Sequence, residues 1–167
     1  MDTETAVKNS SIFSGLDEGE LADVVNITVE KSFAKGDIIM QEGDKEDSLY
    51  LIVGGEVDVS KSLTMKFGED EFRKTEKVLT HYGPDDNIIL GEMALINQGY
   101  RSASVLARTD CILLEIKRDA FIKLVEGRSE LGVKILFKLS ELLTNRLKQS
   151  SQDITRLTTA LSIALSR

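Results

Sequence analysis

The chain of 167 residues contains one cysteine, one histidine and one proline, and it has no tryptophan. A single cysteine, Cys111, excludes an internal disulfide and favours a cytoplasmic location. It lies in an apolar run, so we interpret it as a buried, unreactive thiol. The single histidine, His81, lies beside a turn, and the chain has no cysteine cluster. A structural zinc site needs several such ligands, so we do not expect one. The composition therefore gives no support to a metal site, and no cofactor is expected.

Long apolar runs are missing as well. No stretch approaches the ~20 apolar residues that a membrane-spanning helix requires, and the N-terminus lacks the apolar core of a signal peptide. With 41% hydrophobic and 29% charged residues, the chain has the composition of an ordinary globular protein of one domain. We therefore expect one folded unit without membrane contact.

Positive charge is scarce in the first three quarters of the chain. Residues 1–127 carry 14 Lys and Arg against 25 Asp and Glu, while residues 128–167 carry 7 against 3, giving net charges of −11 and +4. An acidic body argues against contact with nucleic acid, because neutralisation of phosphates dominates that affinity. The dispersed charges of the basic segment favour the solvated face of an amphipathic helix over a nucleic-acid-binding arm.

Short strand-like runs, separated by turn signals rich in glycine, fill the middle of the chain. They lie at 27–33, 38–42, 49–53, 57–60, 78–80, 102–107 and 111–116. Many short strands at regular spacing predict an antiparallel jelly-roll β-barrel, a double-stranded β-helix. The predicted fold class is mainly β, with an N-terminal helix and a long C-terminal helix on its flanks.

Helices are predicted on both sides of this barrel. A capping-box pattern that begins at Asp17 predicts a helix over 18–25, and the first ten residues are polar and expected to be loose. After the barrel, Asp119 and Ser129 are expected to cap a short helix and a long final helix.

One long charged stretch, residues 62–77, separates two predicted strands. Long charged loops are tolerated at little cost, so we interpret the stretch as a solvated extension of a hairpin. Contact with a partner protein is the alternative.

The most informative segment is 91–104, with the sequence GEMALINQGYRSAS. A turn glycine is followed by a short apolar helix, whose N-terminal N–H groups suit a small anion. Arg101 adds a bidentate fork that matches phosphate oxygens, and Glu92 can accept hydrogen bonds from sugar hydroxyls. Small residues after the arginine let a ligand lie close to the backbone. The segment therefore predicts a pocket for a sugar phosphate.

This segment resembles the phosphate-binding cassette of the cyclic nucleotide-binding domains found in catabolite activator proteins, kinase regulatory subunits and gated channels. That cassette reads roughly G-E-[apolar]-A-L-[apolar], a short loop, and then P-R-[small]-A-[S/T]. The glycine pattern of residues 35–44 and 47–57 also resembles the family, whereas Tyr100 stands where many members carry proline. The matching cassette positions are Gly91, Glu92, Ala94, Leu95, Arg101, Ala103 and Ser104.

The resemblance implies a non-enzymatic sensor that binds cAMP in preference to cGMP. It implies that Glu92 binds the ribose 2′-hydroxyl and that Arg101 binds the cyclic phosphate. Ser102 is implied as a phosphate ligand, or as a guanine contact in cGMP-selective members. The structural alternative is an ion pair between Arg101 and Glu92 within a helix that caps the barrel. The other implied contacts come from Gly91, Met93, Ala94 and Ala103.

The final helix carries a row of seam positions at 4-3-4-3 spacing, typical of a coiled coil. We interpret this row as a homodimer interface through residues 139–164; packing on the chain's own barrel is the alternative. The resemblance to catabolite activators implies that Ser151 reaches the adenine and that movement of the C-terminal helices reports ligand binding. The seam positions are Leu143, Leu147, Ser150, Ile154, Leu157, Leu161 and Ala164.

These observations divide the chain into two parts. Residues 1–127 are expected to form the sensor barrel with its N-terminal helix, and residues 128–167 a helix for dimerisation or for closing the site. The sequence stops at Arg167, so we expect no helix-turn-helix that enters a DNA groove. Two alternatives stay open: a ligand-free dimerisation or docking module, and the sensor part of a longer transcription regulator. The sequence does not identify a downstream partner.

Overall fold

The computed structural model describes residues 1–45, 47–67, 71–96 and 99–166. Its helices are α1 (Thr3–Asn9), α2 (Glu18–Val25), α3 (Met93–Ile96), α4 (Arg118–Gly127) and α5 (Ser129–Leu165). Its strands are β1 (Thr28–Phe33), β2 (Ile38–Met40), β3 (Ser48–Gly54), β4 (Val57–Phe67), β5 (Glu71–Tyr82), β6 (Ile89–Leu90), β7 (Ser104–Ala107) and β8 (Cys111–Lys117).

The strands form two antiparallel sheets of four strands each, in the orders β1-β8-β3-β6 and β2-β7-β4-β5. Strands that are distant in sequence lie side by side in both sheets, as a jelly roll requires. The predicted fold class, a mainly β jelly roll with flanking helices and a long C-terminal helix, is confirmed.

Strand β3 and most of β8 are buried on both faces of their sheet, whereas β1 at its edge is largely exposed. Alternate residues of β3 point to opposite sides: Leu49 and Leu51 join a core shared with the helices, whereas Tyr50 and Ile52 join a core between the two sheets. Near-continuous apolar runs in β3 and β8 follow from this double burial. Phe13 lies fully buried in the helix-side core and anchors the segment before α2.

The expectation that the first ten residues are loose is wrong. They form α1, in which the side chain of Asp2 accepts a hydrogen bond from the backbone N–H of Thr5 at 2.9 Å. Ala6 and Val7 are buried against the helix-side core, so two small apolar residues and an N-cap suffice to dock the helix.

The predicted helix over 18–25 and its capping box are confirmed as α2. The two predicted caps after the barrel are displaced. Lys117 is the N-cap of α4, so Asp119 lies inside its first turn, where a carboxylate favours the positive end of the helix dipole. Arg128 is the N-cap of α5, and Ser129 is its first residue.

Strands β4 and β5 are much longer than their predicted spans. They pair from Val57 with Tyr82 to Phe67 with Glu71, with one register shift between Val59 and Ser60, whereas β7 pairs with β4 over 57–60. The charged stretch 62–77 is therefore the predicted hairpin extension, except that residues 68–70 lie outside the described residues. Strand β6 was not predicted, because two residues carry no readable periodicity.

Helix α5 has two environments along its 37 residues. Near its start, Leu131, Ile135 and Leu139 are buried in the helix-side core. From Leu147 onward the apolar side chains are exposed, and Leu157 keeps 71% of its surface accessible. The first part therefore packs on its own barrel, and the second part presents an uncovered apolar row.

Two ion pairs attach the start of α5 to α2. Lys134 donates to the Glu20 carboxylate at 2.6 Å, and Arg128 pairs with Asp23. The other oxygen of Glu20 accepts the backbone N–H of Asp17 at 3.0 Å, which completes the capping box. The hydrogen bond from Lys134, and then that from Asp17, holds the pKa of Glu20 below its usual value; the same contact raises the pKa of Lys134.

We expect Glu20→Gln to lower the free energy of unfolding near pH 7 but to have little effect near pH 3. A carboxyl whose pKa is depressed in the folded state stabilises the fold fully above its unfolded pKa of about 4.3. That stabilisation is lost as the pH falls through the depressed value. Urea unfolding of both proteins at the two pH values measures the effect. An equal difference at both pH values would contradict the assignment.

Candidate functional site

A cavity lies where the segment 91–104 meets the sheet β2-β7-β4-β5 and the middle of α5. Its apolar wall comes from β2, β4 and β7 of this sheet and from β6 of the other sheet, through Met40, Val59, Val105 and Leu90. Seven of the eight predicted ligand residues line this cavity: Gly91, Glu92, Met93, Ala94, Arg101, Ser102 and Ala103.

Ser151, the eighth predicted residue, is exposed on α5 and does not line the cavity. It is one of the residues beyond Leu147, where α5 has left the barrel. The fold of one chain therefore keeps Ser151 apart from the other seven.

Gly91 shapes the turn that opens the cavity. Its φ of +78° lies in the left-handed region, which side chains disfavour. An added Cβ would lie 2.2 Å from Nη1 of Arg101 and 2.9 Å from the carbonyl oxygen of Ser48. Only glycine therefore lets the guanidinium of Arg101 pack directly against this turn.

Helix α3 follows the turn and is a single helical turn long. The backbone N–H of Ala94 donates to the Gly91 carbonyl at 3.0 Å, and that of Leu95 donates to the Glu92 carbonyl at 3.2 Å. Ala94 and Leu95 are buried, whereas Met93, which lines the cavity, is largely exposed. The helix thus fixes the backbone that follows Gly91 while its first side chain stays at the surface.

Arg101 is held in place by its own backbone. Its N–H donates to the carbonyl of Asp44 at 2.9 Å, and its carbonyl accepts from the N–H of Gly43 at 3.0 Å. The residue is only 6% exposed. The turn between β2 and β3 therefore fixes the backbone of Arg101, and the missing side chain of Gly91 leaves space for its guanidinium.

Ser104, the first residue of β7, lies at the end of the segment 91–104. Its hydroxyl oxygen accepts hydrogen bonds from the backbone N–H of Glu42 and from the side-chain amide of Gln41, both at 3.0 Å. These two bonds tie the end of the cassette to the chain that follows β2. The hydroxyl of Ser104 therefore stabilises the backbone at this place.

Glu92 is 3% exposed, and its carboxylate forms an ion pair with Arg146 of α5. Arg146 also donates through Nη2 to the carbonyl of Ile89 at 3.1 Å. The ion pair considered from the sequence joined Glu92 to Arg101; the structure assigns Arg146 as the partner instead. A buried carboxylate needs such a cation, because an unpaired charge is costly to bury.

Sequence reasoning missed Arg146 and the four apolar wall residues. Arg146 had a readable signal: a carboxylate predicted to lie in a pocket requires a cation, and this arginine flanks the seam of the final helix. The wall residues had none, because each belongs to a different short strand. The two arginines and the one carboxylate among the lining residues give the cavity a formal charge of +1 within a chain of net charge −7.

Among residues 1–45, 47–67, 71–96 and 99–166, no three His, Cys, Asp or Glu side chains are grouped closely enough to hold a metal ion. Over the same residues, no helix has the length and apolar character needed to cross a bilayer.

Known proteins are similar to this chain in sequence. The chain is 32% identical over 122 residues to a cAMP-dependent protein kinase regulatory subunit of Eremothecium gossypii, covering 73% of this chain and 23% of that protein. It is 28% identical over 148 residues to a cyclic AMP receptor protein of Thermus thermophilus, covering 89% and 62%. The chain thus spans less than two thirds of either relative.

Solved structures agree with the sequence comparison. A cyclic nucleotide-binding domain from Methylobacillus flagellatus superposes with a TM-score of 0.73 at 27% identity, covering 91% of this chain and 80% of that one. The sequence profile of the cyclic nucleotide-binding domain matches residues 30–128, more than half of the chain. The chain therefore belongs to the cyclic nucleotide-binding domain family, whose members are ligand-binding regulatory modules and not catalysts.

Proposed function

We propose that this chain is a cyclic nucleotide sensor that binds cAMP in the cavity beside Gly91. The observation that carries the proposal is that a buried arginine, Arg101, and a buried carboxylate, Glu92, line the same cavity. Arg101 would bind the cyclic phosphate, with Ser102 and the backbone of 91–94 as further ligands. Glu92 would accept the ribose 2′-hydroxyl.

Burial strengthens the hydrogen bonds that Arg101 and Glu92 would form with the ligand. A charge-assisted hydrogen bond is about twice as strong as a neutral one, and a low local dielectric strengthens it further. The wall of Met40, Val59, Leu90 and Val105 offers an apolar surface for the remainder of the nucleotide. The cavity thus provides a cation, an acceptor and an apolar wall for the phosphate, sugar and base.

The preference for cAMP over cGMP is supported by the relatives. The regulatory subunit and the receptor protein described above both carry cAMP in their names. Ser102 does not distinguish the two bases, because a hydroxyl there suits the phosphate as well as a guanine.

Arg146 connects the cavity to α5. It belongs to the long helix, yet it donates to Glu92 and to the carbonyl of Ile89 at the cavity. A ribose hydroxyl that donates to Glu92 would change the environment of this ion pair. Ligand binding and the position of α5 are thereby linked, so the movement of the C-terminal helices would report occupancy.

The uncovered apolar row of α5 supports a homodimer through residues 139–164. In a parallel coiled coil, the side chain at a g position lies beside the e position of the partner helix, five residues later in the sequence. With Leu147 at an a position, Arg146 is a g position and Ser151 an e position. Arg146 would therefore lie beside Ser151 of the partner subunit. This pairing would bring the eighth predicted ligand residue to the cavity from the other chain.

The remaining parts of the proposal follow from composition and from the two environments of α5. We assign residues 1–127 to the sensor barrel and residues 128–167 to the dimerisation or lid helix. A cytoplasmic location is supported by the single free, buried cysteine, Cys111. The acidic body supports a role without nucleic-acid contact by these residues.

Thermal unfolding with added nucleotide tests the proposal. At 100 times its dissociation constant, a ligand stabilises the folded state by about 2.7 kcal/mol, which raises Tm by roughly 5–10 °C for a domain of this size. We expect this shift with cAMP, a smaller one with cGMP at equal concentration, and almost none with 5′-AMP. No shift with either cyclic nucleotide would favour a docking module, the function that the exposed row of α5 also supports.

A further inference from the structure

Tyr100 and Lys45 form a pair at the mouth of the cavity, outside the contacts assigned so far. Tyr100 lines the cavity yet is 68% exposed. The ammonium of Lys45 lies over its ring, 5.5 Å from the centroid, which is within the range of a cation–π contact. The aromatic ring thus holds a cation beside the arginine proposed to bind phosphate.

The backbone fixes this pair in register. Lys45 and Tyr100 form an isolated antiparallel β-bridge. The neighbouring residues Asp44 and Arg101 are joined by the backbone hydrogen bond of 2.9 Å described above. Two consecutive contacts therefore set the Cα of Lys45 beside the cassette, so its position does not depend on the side chain alone.

The surroundings of Lys45 are acidic. Glu42, Asp44 and Asp47 lie within three positions of Lys45 in the sequence. Of these residues, Asp44 and Asp47 are exposed. The carboxylate of Glu42 is engaged by the backbone N–H of Ser62 at 2.8 Å. An anion that approaches Arg101 from outside would therefore meet a negative edge, which the charge of Lys45 partly offsets.

We propose that Lys45, held over Tyr100, is a positioning cation that speeds the association of the anionic nucleotide with the cavity. This inference rests on the proposed function, because the anion is the cyclic phosphate. The ammonium would act through its charge at the mouth, before the ligand is bound, and Arg101 would make the final contact. Tyr100 gives Lys45 an aromatic face that a proline at this position would not supply.

Electrostatic steering has a signature that distinguishes it from a structural role. It changes the association rate, leaves the dissociation rate almost unaltered, and disappears when salt screens the charges. A side chain that merely stabilises the loop would change dissociation or folding at any salt concentration.

Stopped-flow measurement of the binding of a cAMP derivative with a fluorophore on the base tests the inference, near 20 mM and near 500 mM salt. We expect Lys45→Gln to slow association about threefold at low salt and to leave it unchanged at high salt. Lys45→Arg and Tyr100→Phe should retain the wild-type rate, since the charge and the ring persist. Tyr100→Pro should lose part of the rate at low salt.

Lys123→Gln is the matched control, because it removes the same charge from an exposed position on α4. It should leave the low-salt rate within experimental error of wild type. An unchanged low-salt rate for Lys45→Gln, or an equal loss in the Lys123 variant, would overturn the inference while the proposed function stands. Absence of binding to the wild-type protein would overturn both.

Discussion

Arg101→Ala is expected to weaken the binding of cAMP by roughly 100- to 10,000-fold. The substitution removes a buried bidentate donor, whose two charge-assisted hydrogen bonds each contribute about 1.5–3 kcal/mol. Each 1.4 kcal/mol corresponds to a factor of about ten in the dissociation constant. The guanidinium also packs against the turn at Gly91, so a modest loss of thermal stability should accompany the loss of affinity.

Two further variants isolate the cause of this loss. Arg101→Lys keeps the charge but loses the planar fork, and it should recover only part of the affinity. Arg108→Ala removes an exposed arginine that pairs with Glu56 at 3.5 Å, away from the cavity, and it should bind as wild type. The dissociation constants are measured by equilibrium fluorescence titration. Wild-type affinity in a folded Arg101→Ala protein would show that the cassette assignment is wrong.

The second large effect is expected in α5. We predict that the wild-type chain is a dimer at about 20 μM and that the double variant Ile154→Asp/Leu157→Asp is a monomer. Both residues lie on the seam, at 62% and 71% exposure in one chain. A carboxylate buried without a partner in an apolar interface costs several kcal/mol, and the symmetric dimer would contain four of them.

Sedimentation velocity measures the change directly. Thr155→Asp/Thr159→Asp is the matched control, because it adds the same two charges to the opposite face of the helix. The hydroxyls of both threonines donate within α5, to the carbonyls of Ser151 and Thr155, so their replacement should leave the dimer intact. A monomeric wild-type chain, or a dimer that persists in the seam variant, would contradict the dimer proposal.

The parts of the fold that the sequence predicts are those with local chemical signals. The capping box at Asp17 is confirmed because both of its hydrogen bonds form within one helical turn. The β-rich class follows from turn residues such as Gly43 and Gly55, which do adopt positive φ values of 88° and 82°. At Gly55 an added Cβ would approach the carbonyl oxygen of Asp110 to 2.2 Å, so the glycine is required by packing as well.

The parts that escaped prediction depend on contacts between distant segments. Helix α1 is short and polar by sequence, yet two buried residues attach it to the core. The length of β4 and β5 follows from their pairing with each other, which alternation within either strand does not reveal. Local propensity is a weak guide wherever the partner strand or helix decides the structure.

In the candidate site, too, the residues close together in sequence could be predicted, whereas the distant one could not. Its cassette is contiguous, so Glu92 and Arg101 could be predicted as a pair that faces one ligand. Arg146 lies more than 40 positions away and reaches the cavity only because α5 packs across it. The sequence indicated that a carboxylate in a pocket needs a cation, but it did not identify Arg146 as that cation.

The central claim, that this cavity binds a cyclic nucleotide, is tested most directly by calorimetric titration of the wild-type protein with cAMP. The protein should first be freed of nucleotide by unfolding and refolding, and the titration run at two temperatures so that a vanishing enthalpy at one is not mistaken for absence of binding. We predict saturable binding of one cAMP per chain, tighter than that of cGMP. A folded, nucleotide-free protein that gives no binding heat at either temperature would contradict the account.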